Sequence, residues 1–159
     1  MAFAEMVECL RTCELFGPLA EEEVERLTTS LADSSQMHSY QAGDLIFAQG
    51  DHTTRLYIIA EGQVSLQRMF SIGGRTANMP VALLGKGRAM GWTALLYGPH
   101  EATATALCQK PTRVIGMDGT ALRSALENEP RLGLRVMGQL ACMLGDRLRA
   151  AYSAMETHL

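Results

Sequence analysis

Gly85-Lys-Gly-Arg-Ala-Met-Gly-Trp-Thr-Ala-Leu-Leu-Tyr-Gly-Pro-His-Glu-Ala-Thr-Ala-Thr-Ala106 is the stretch whose reading decides the fold. Gly85 and Gly87 open it, Gly91 follows, Trp92 to Tyr97 is a short helix-capable run, and Gly98-Pro99 is a turn. Ala102-Thr103-Ala104-Thr105-Ala106 then alternates as a strand does. The pattern predicts turn, single helical turn, turn, strand. A short helix starts with unpaired backbone N–H groups, and small residues on its flanks let a ligand approach the backbone closely. The unit is a candidate binding cassette for an anion or a polar ligand.

On the N-terminal side of the cassette the pattern is that of short strands with turn punctuation. Gln41-Ala42-Gly43-Asp44 and Gln49-Gly50-Asp51 bracket Leu45-Ile46-Phe47, and Arg55-Leu56-Tyr57-Ile58-Ile59 runs through Glu61-Gly62 to Val64-Ser65-Leu66. Ser71 to Thr76 is a hairpin tip, followed by Val81 to Leu84, and on the far side Thr103 to Leu107 and Thr112 to Met117 complete the set around Lys110-Pro111. Strands at this spacing predict a mainly β fold, an antiparallel β-roll or jelly-roll barrel with flanking helices. Arg75 and Arg88 are the loop cations placed to reach an anionic ligand, against the alternative that they lie in water.

Helices flank the strands. Phe3, Met6, Val7 and Leu10 fall at helical spacing, Leu15 to Leu19 break the pattern, and Glu21-Glu22-Glu23 precede Val24 and Leu27. Three carboxylates in a first turn suit the helix dipole. Asp118 reads as an N-cap before Ala121, Leu122, Ala125 and Leu126, and Pro130 as the first turn of a long last helix. The expected layout is one domain over 1–159: N-terminal helices in 1–30, the β-roll in 36–117 with its cassette at 85–106, and C-terminal helices in 118–159.

Composition bounds the rest. A chain of 159 residues with 47% apolar and 19% charged residues predicts one soluble globular domain. A formal charge of −3 argues against a surface that coats nucleic acid. No apolar run reaches the ~18 residues a membrane span needs, and Glu5 and Glu8 interrupt the start, so a cytoplasmic location without membrane contact is expected. Cys9, Cys13, Cys108 and Cys142 have no disulfide spacing, and His38, His52, His100 and His158 no metal-ligand spacing. Cys9 and Cys13 form a helical i, i+4 pair that reads either as two sharers of a ligand or as ordinary half-buried thiols.

The cassette resembles the phosphate-binding cassette of the cyclic-nucleotide-binding domain, found in transcription regulators of the catabolite-activator/FNR type and in cyclic-nucleotide-gated kinases and channels. Gly91-Trp92-Thr93-Ala94-Leu95 and His100-Glu101-Ala102-Thr103 stand where that family has Gly-Glu-x-Ala-Leu and Arg-x-Ala-[Ser/Thr]. Gly43-Asp44, Gly50-Asp51, Leu56 to Ile59 and Gly62-x-Val64 follow its strand and turn pattern in order. The resemblance implies a small effector, a cyclic nucleotide or another small anionic or polar molecule, held by Met90, Gly91, Trp92, Thr93, Ala94, His100, Glu101, Ala102 and Thr103.

Two positions depart from the family. Trp92 replaces the glutamate that accepts the ribose hydroxyl, and His100 replaces the arginine that grips the phosphate. An indole N–H only donates, and a neutral imidazole does not copy a charged, two-pronged guanidinium. Each lost charged hydrogen bond costs roughly 1.5–3 kcal/mol, with about 1.4 kcal/mol per tenfold in affinity. Tight binding of ordinary cyclic AMP or cyclic GMP is therefore not expected. The alternative is that Trp92 and His100 fill the vacated pocket, leaving a degenerate interaction module.

In the last helix Leu134, Met137, Ala141, Leu144, Leu148, Ala151 and Met155 repeat in three- and four-residue steps, the spacing of a coiled-coil seam. In the resembled family this helix is the dimer interface and closes over the ligand, which implies a homodimer here. The same resemblance leads us to expect a stand-alone sensor without direct DNA binding, since no winged helix-turn-helix pattern follows within the 159 residues. No nucleophile beside a base, paired carboxylates or metal set suggests an enzyme.

Overall fold

The computed structural model describes residues 1–158, so Leu159, the last residue of the expected C-terminal helices, lies outside the description. Two N-terminal helices, α1 (Phe3–Thr12) and α2 (Glu21–Leu31), lead through a 3-10 turn (Ala32–Ser34) into β1 (Ser35–Tyr40). There follow β2 (Leu45–Phe47), β3 (Arg55–Glu61), β4 (Val64–Ile72), β5 (Arg75–Leu84) and β6 (Ala89–Met90). A second 3-10 helix (Trp92–Leu95) precedes β7 (Thr105–Cys108), β8 (Thr112–Asp118), α3 (Gly119–Asn128) and α4 (Pro130–His158). The strands form two four-stranded antiparallel sheets, ordered β1-β8-β3-β6 and β2-β7-β4-β5, which is the β-roll.

Strand alternation explains why there are two cores. On β3 and β8 successive side chains point to opposite faces. Leu56, Ile58, Ile115 and Met117 therefore join Met6, Leu10, Leu27, Leu122, Leu132 and Val136 in a core beneath the helices. Ile59 and Val114, one residue out of phase, join Phe47, Val64, Leu66, Leu84 and Met90 inside the roll. The first sheet is thus buried on both faces, which accounts for the nearly unbroken apolar run of β3.

Helix ends follow the local chemistry. The Asp118 carboxylate accepts from the Ala121 amide at 2.8 Å, which caps α3. Glu23 Oε1 accepts from the Ala20 amide at 2.9 Å at the start of α2, and Arg135 of α4, hydrogen-bonded to the same carboxylate, holds it below its ordinary pKa. Phe3, at helical spacing with Met6 and Leu10, is half exposed at 50%, while Met6 and Leu10 of the same helix are buried in the core.

The alternating stretch after the cassette departs from its strand reading. The strand begins only at Thr105. Ala102 instead pairs with the 50–51 turn, its N–H donating to Asp51 O at 2.7 Å while its carbonyl accepts from the Gly50 N–H at 2.9 Å, and Glu101 bridges His52. The short-range alternation is satisfied by a loop contact rather than by a neighbouring strand.

Gly119 sets how closely α3 approaches the cassette: a Cβ there would lie 2.1 Å from Ala94 O. Gly119→Ala is expected to cost roughly 1–3 kcal/mol by overpacking, a melting-temperature loss of about 2–4 °C per kcal/mol in thermal denaturation. Gly85→Ala, with no atom within 4 Å of the added carbon, serves as the neutral control.

Candidate functional site

The cassette turns on Gly91, whose φ of 78° is left-handed and whose added Cβ would meet Arg55 O at 2.7 Å. From it the 3-10 helix Trp92–Leu95 sends Thr93 inward, 3% exposed, where its hydroxyl lies 2.9 Å from that of Thr53. Ala94 and Leu95 are buried, and the Ala94 amide donates to Gly91 O at 3.1 Å, so that donor is already committed within the turn. Behind the turn, α3 grips the chain as it leaves. Arg123 Nη1 donates to Leu96 O at 2.9 Å with its guanidinium 4.2 Å from the Tyr97 ring centre, and Tyr97 donates to Glu127.

A cavity of about 460 Å³ opens between the cassette, the inside of the roll and α4. Met90, Gly91, Trp92, Thr93, Ala102 and Thr103 line it with Phe47, Leu66, Phe70, Val81 and Ala104. Leu144, Leu148, Ala151, Tyr152 and Met155 of α4 close the far side. Six of the nine expected ligand-binding residues thus share one cavity. Ala94, His100 and Glu101 lie outside its lining.

His100 is exposed, with its Nε2 hydrogen-bonded to Tyr97 O at 2.8 Å, so it does not fill the site as the alternative reading supposed. Trp92 forms one wall and packs on the helix-side core, and the cavity stays open beside it. Glu101 borders a neighbouring polar depression with Gln49, Asn78 and Thr105.

The residues that sequence reasoning missed are two arginines, Arg68 of β4 and Arg147 of α4, both in the lining. Arg68 Nη1 donates to Thr103 O, and its guanidinium sits 5.6 Å from the centre of Phe70. The Arg147 side chain is 12% exposed; Nη2 donates to Ala89 O and lies 3.6 Å from Glu14 Oε2. Burial lowers its pKa to about 10 despite that carboxylate. Among the described residues, Arg147 Nε is the buried side-chain nitrogen left without a hydrogen-bond partner. Arg75 and Arg88, the cations the sequence offered, are not in the lining, and Arg88 Nε instead donates to Glu14 Oε2 at 2.9 Å.

The α4 seam divides in two. Leu134, Met137 and Ala141 are exposed, whereas Leu144, Leu148, Ala151 and Met155 face the cavity. The adjoining stripe, Leu132, Val136, Leu140 and Met143, is buried in the helix-side core, with Leu144 packed against it. Cys13 is buried in that core and burial pushes its thiol up to about 12, so it is protonated and inert at neutral pH. Among the described residues no three His, Cys, Asp or Glu side chains come together at metal-holding distance, and no helix is long and apolar enough to cross a membrane.

An antiparallel roll with an inserted glycine-led cassette, an apolar cavity beneath it and a C-terminal helix across its mouth is the cyclic-nucleotide-binding-type β-roll. The chain belongs to the cyclic nucleotide-binding domain family, whose model matches residues 37–129. It is similar to the Cyclic AMP receptor protein of Thermus thermophilus, with 33% identity over 137 residues, 86% of this chain and 58% of that protein. Similarity to the CRP-like cAMP-activated global transcriptional regulator of Mycobacterium tuberculosis is 28% over 145 residues, 91% of this chain and 59% of that one.

The structure resembles that of a cyclic nucleotide-binding domain from Methylobacillus flagellatus, with a TM-score of 0.75, 25% identity and coverage of 99% of this chain and 84% of that one. The chain spans less than two thirds of the length of the two curated relatives. These relatives are a receptor protein, a transcriptional regulator and a cyclic nucleotide-binding domain by name.

Glu14 Oε2 is the fixed point of the α4 side of the site, accepting from Arg88 Nε at 2.9 Å and from the Ala89 amide at 2.7 Å with Arg147 beside it. Glu14→Gln is expected to lower stability in urea denaturation by roughly 1–3 kcal/mol, because a charged acceptor is lost under a buried cation. Glu8→Gln, which breaks only the exposed pair with Arg11, is expected to change it by less than about 1 kcal/mol.

Proposed function

We propose that this domain is a sensor: a small effector enters the cavity between roll, cassette and α4, and its presence sets where α4 lies. The observation that carries the reading is the shared wall. Gly91, Trp92 and Thr93 of the cassette and Leu144, Leu148 and Ala151 of α4 line the same space. A ligand that touches both has an affinity that depends on the position of the helix, which is the physical requirement for switching.

Ordinary cyclic AMP is a poor fit. Trp92 and His100 supply neither the carboxylate nor the guanidinium of the family pattern, and His100 lies outside the lining. Calorimetric titration with cyclic AMP is expected to give weak or undetectable heat for the native chain. The double variant Trp92→Glu, His100→Arg is expected to tighten binding by about a hundredfold, from two charged hydrogen bonds at roughly 1.5–3 kcal/mol each less the cost of repacking. Tight cyclic AMP binding by the native chain would overturn the argument from the missing clamp.

A second reading, of α4 as a homodimer interface, rests on a separate observation. Leu134 is 76% exposed and Met137 43%, adjoining Ala141 on the same helix. A partner helix seated there continues onto Leu144 and Leu148, so partner and effector share one stretch of α4. Light scattering is expected to show a dimer that Leu134→Glu with Met137→Glu converts to a folded monomer; a native monomer at every concentration tested sinks this reading.

A further inference from the structure

The cavity carries charge in a place the cassette does not explain. Its lining is mostly apolar and includes two guanidinium groups, Arg68 and Arg147, and no carboxylate. Burying a cation in such surroundings is unfavourable unless an anion or hydrogen-bond acceptors compensate it. Arg147 has one carbonyl partner, a carboxylate at 3.6 Å that Arg88 and the Ala89 amide already occupy, and an orphaned Nε. Among the described residues Arg68 pairs with no carboxylate, and it donates to Thr103 O through Nη1. Arg147 therefore keeps a buried donor without an acceptor, while Arg68, partly exposed between this cavity and the depression that holds Glu101, has donors free to turn to a ligand.

We propose that the cavity selects a flat, apolar-bodied organic monoanion, and that Arg68 of β4 and Arg147 of α4 hold its anionic group in place of a cassette arginine. The inference rests on the sensor reading above and names the ligand class for the same cavity. Phe47, Phe70, Trp92 and Tyr152 supply aromatic wall, and about 460 Å³ suits a body of two or three fused or linked rings. One cation sits on the roll and the other on the helix that closes it, so an anion drawn to both ties α4 to β4. Such a ligand also completes the hydrogen bonding of Arg147, whose Nε is buried without a partner among the described residues. A cation is disfavoured in this cavity, and so is a polyol, for want of carboxylate acceptors.

Two fluorescent probes with nearly the same body test this. 8-Anilinonaphthalene-1-sulfonate is an aromatic monoanion, and N-phenyl-1-naphthylamine is its neutral counterpart. Each is titrated into the native chain, Arg68→Gln, Arg147→Gln and the cavity-filling variant Ala104→Trp. The expected result is saturable binding of both probes, lost in Ala104→Trp. Each arginine variant is expected to weaken the sulfonate roughly tenfold or more, while leaving the neutral probe within about twofold.

Retained binding of the neutral probe reports an intact cavity, and Arg68→Gln, away from the Glu14 network, keeps the test valid if Arg147→Gln does not fold. If both probes bind and neither arginine change separates them, the anion assignment is overturned and the sensor reading stands. If neither binds, or Ala104→Trp leaves binding unchanged, the cavity is not a binding site and both fall.

Discussion

One carboxylate oxygen, Glu14 Oε2, ties together the three segments on which the site depends. It lies in the break between α1 and α2, receives Arg88 and the Ala89 amide from the strand that enters the cassette, and faces Arg147 of α4. Gly87 brings the same segments into contact from the other side: a Cβ there would lie 2.6 Å from Thr12 O, and Glu14 N–H donates to Gly87 O at 2.9 Å. The N-terminal helices are thus more than a lid for the core. Through Glu14 they contact both the strand that enters the cassette and α4.

The long helix α4 answers two demands with two stripes. Its Leu132–Met143 stripe is buried in the core beneath the helices and is fixed by packing. Further along, Leu144 to Met155 line a cavity rather than a filled core, so that part of the helix has weaker internal contacts to hold it. Elements that move on binding come from such loosely held regions. On the proposed reading, a helix anchored at one end and facing a cavity at the other would report occupancy, and Leu134 and Met137 lie exposed on the anchored part.

The cassette is coupled to that helix by a second route. Gly119 at the start of α3 is packed against Ala94, and Arg123 and Glu127 hold the Leu96 and Tyr97 segment. The 3-10 turn is thus in direct contact with α3, and α3 is joined to α4 by the single residue Glu129. Gly133 sits close enough to Leu126 O that a Cβ would lie 2.6 Å from it, which keeps the two helices in contact at the bend.

Local signals in the chain determined the architecture and the place of the site. Gly43, Gly50 and Gly62 adopt the left-handed φ that their turns require, Asp118 caps α3, Pro130 opens α4, and the apolar phases of β3 and α4 follow from strand and helix periods. Six of the nine proposed contacts meet in the cavity because they lie on a short, locally specified segment or beside it. Only the tertiary structure decided which cations enter. Arg68 and Arg147 are 79 positions apart, and each reads along its own element as an ordinary solvated arginine. Sequence spacing likewise does not tell a helix face that meets a partner from one that meets the protein's own cavity, because both demand the same apolar period. Their difference arises from the closing of α4 over the roll, a contact between distant parts of the chain.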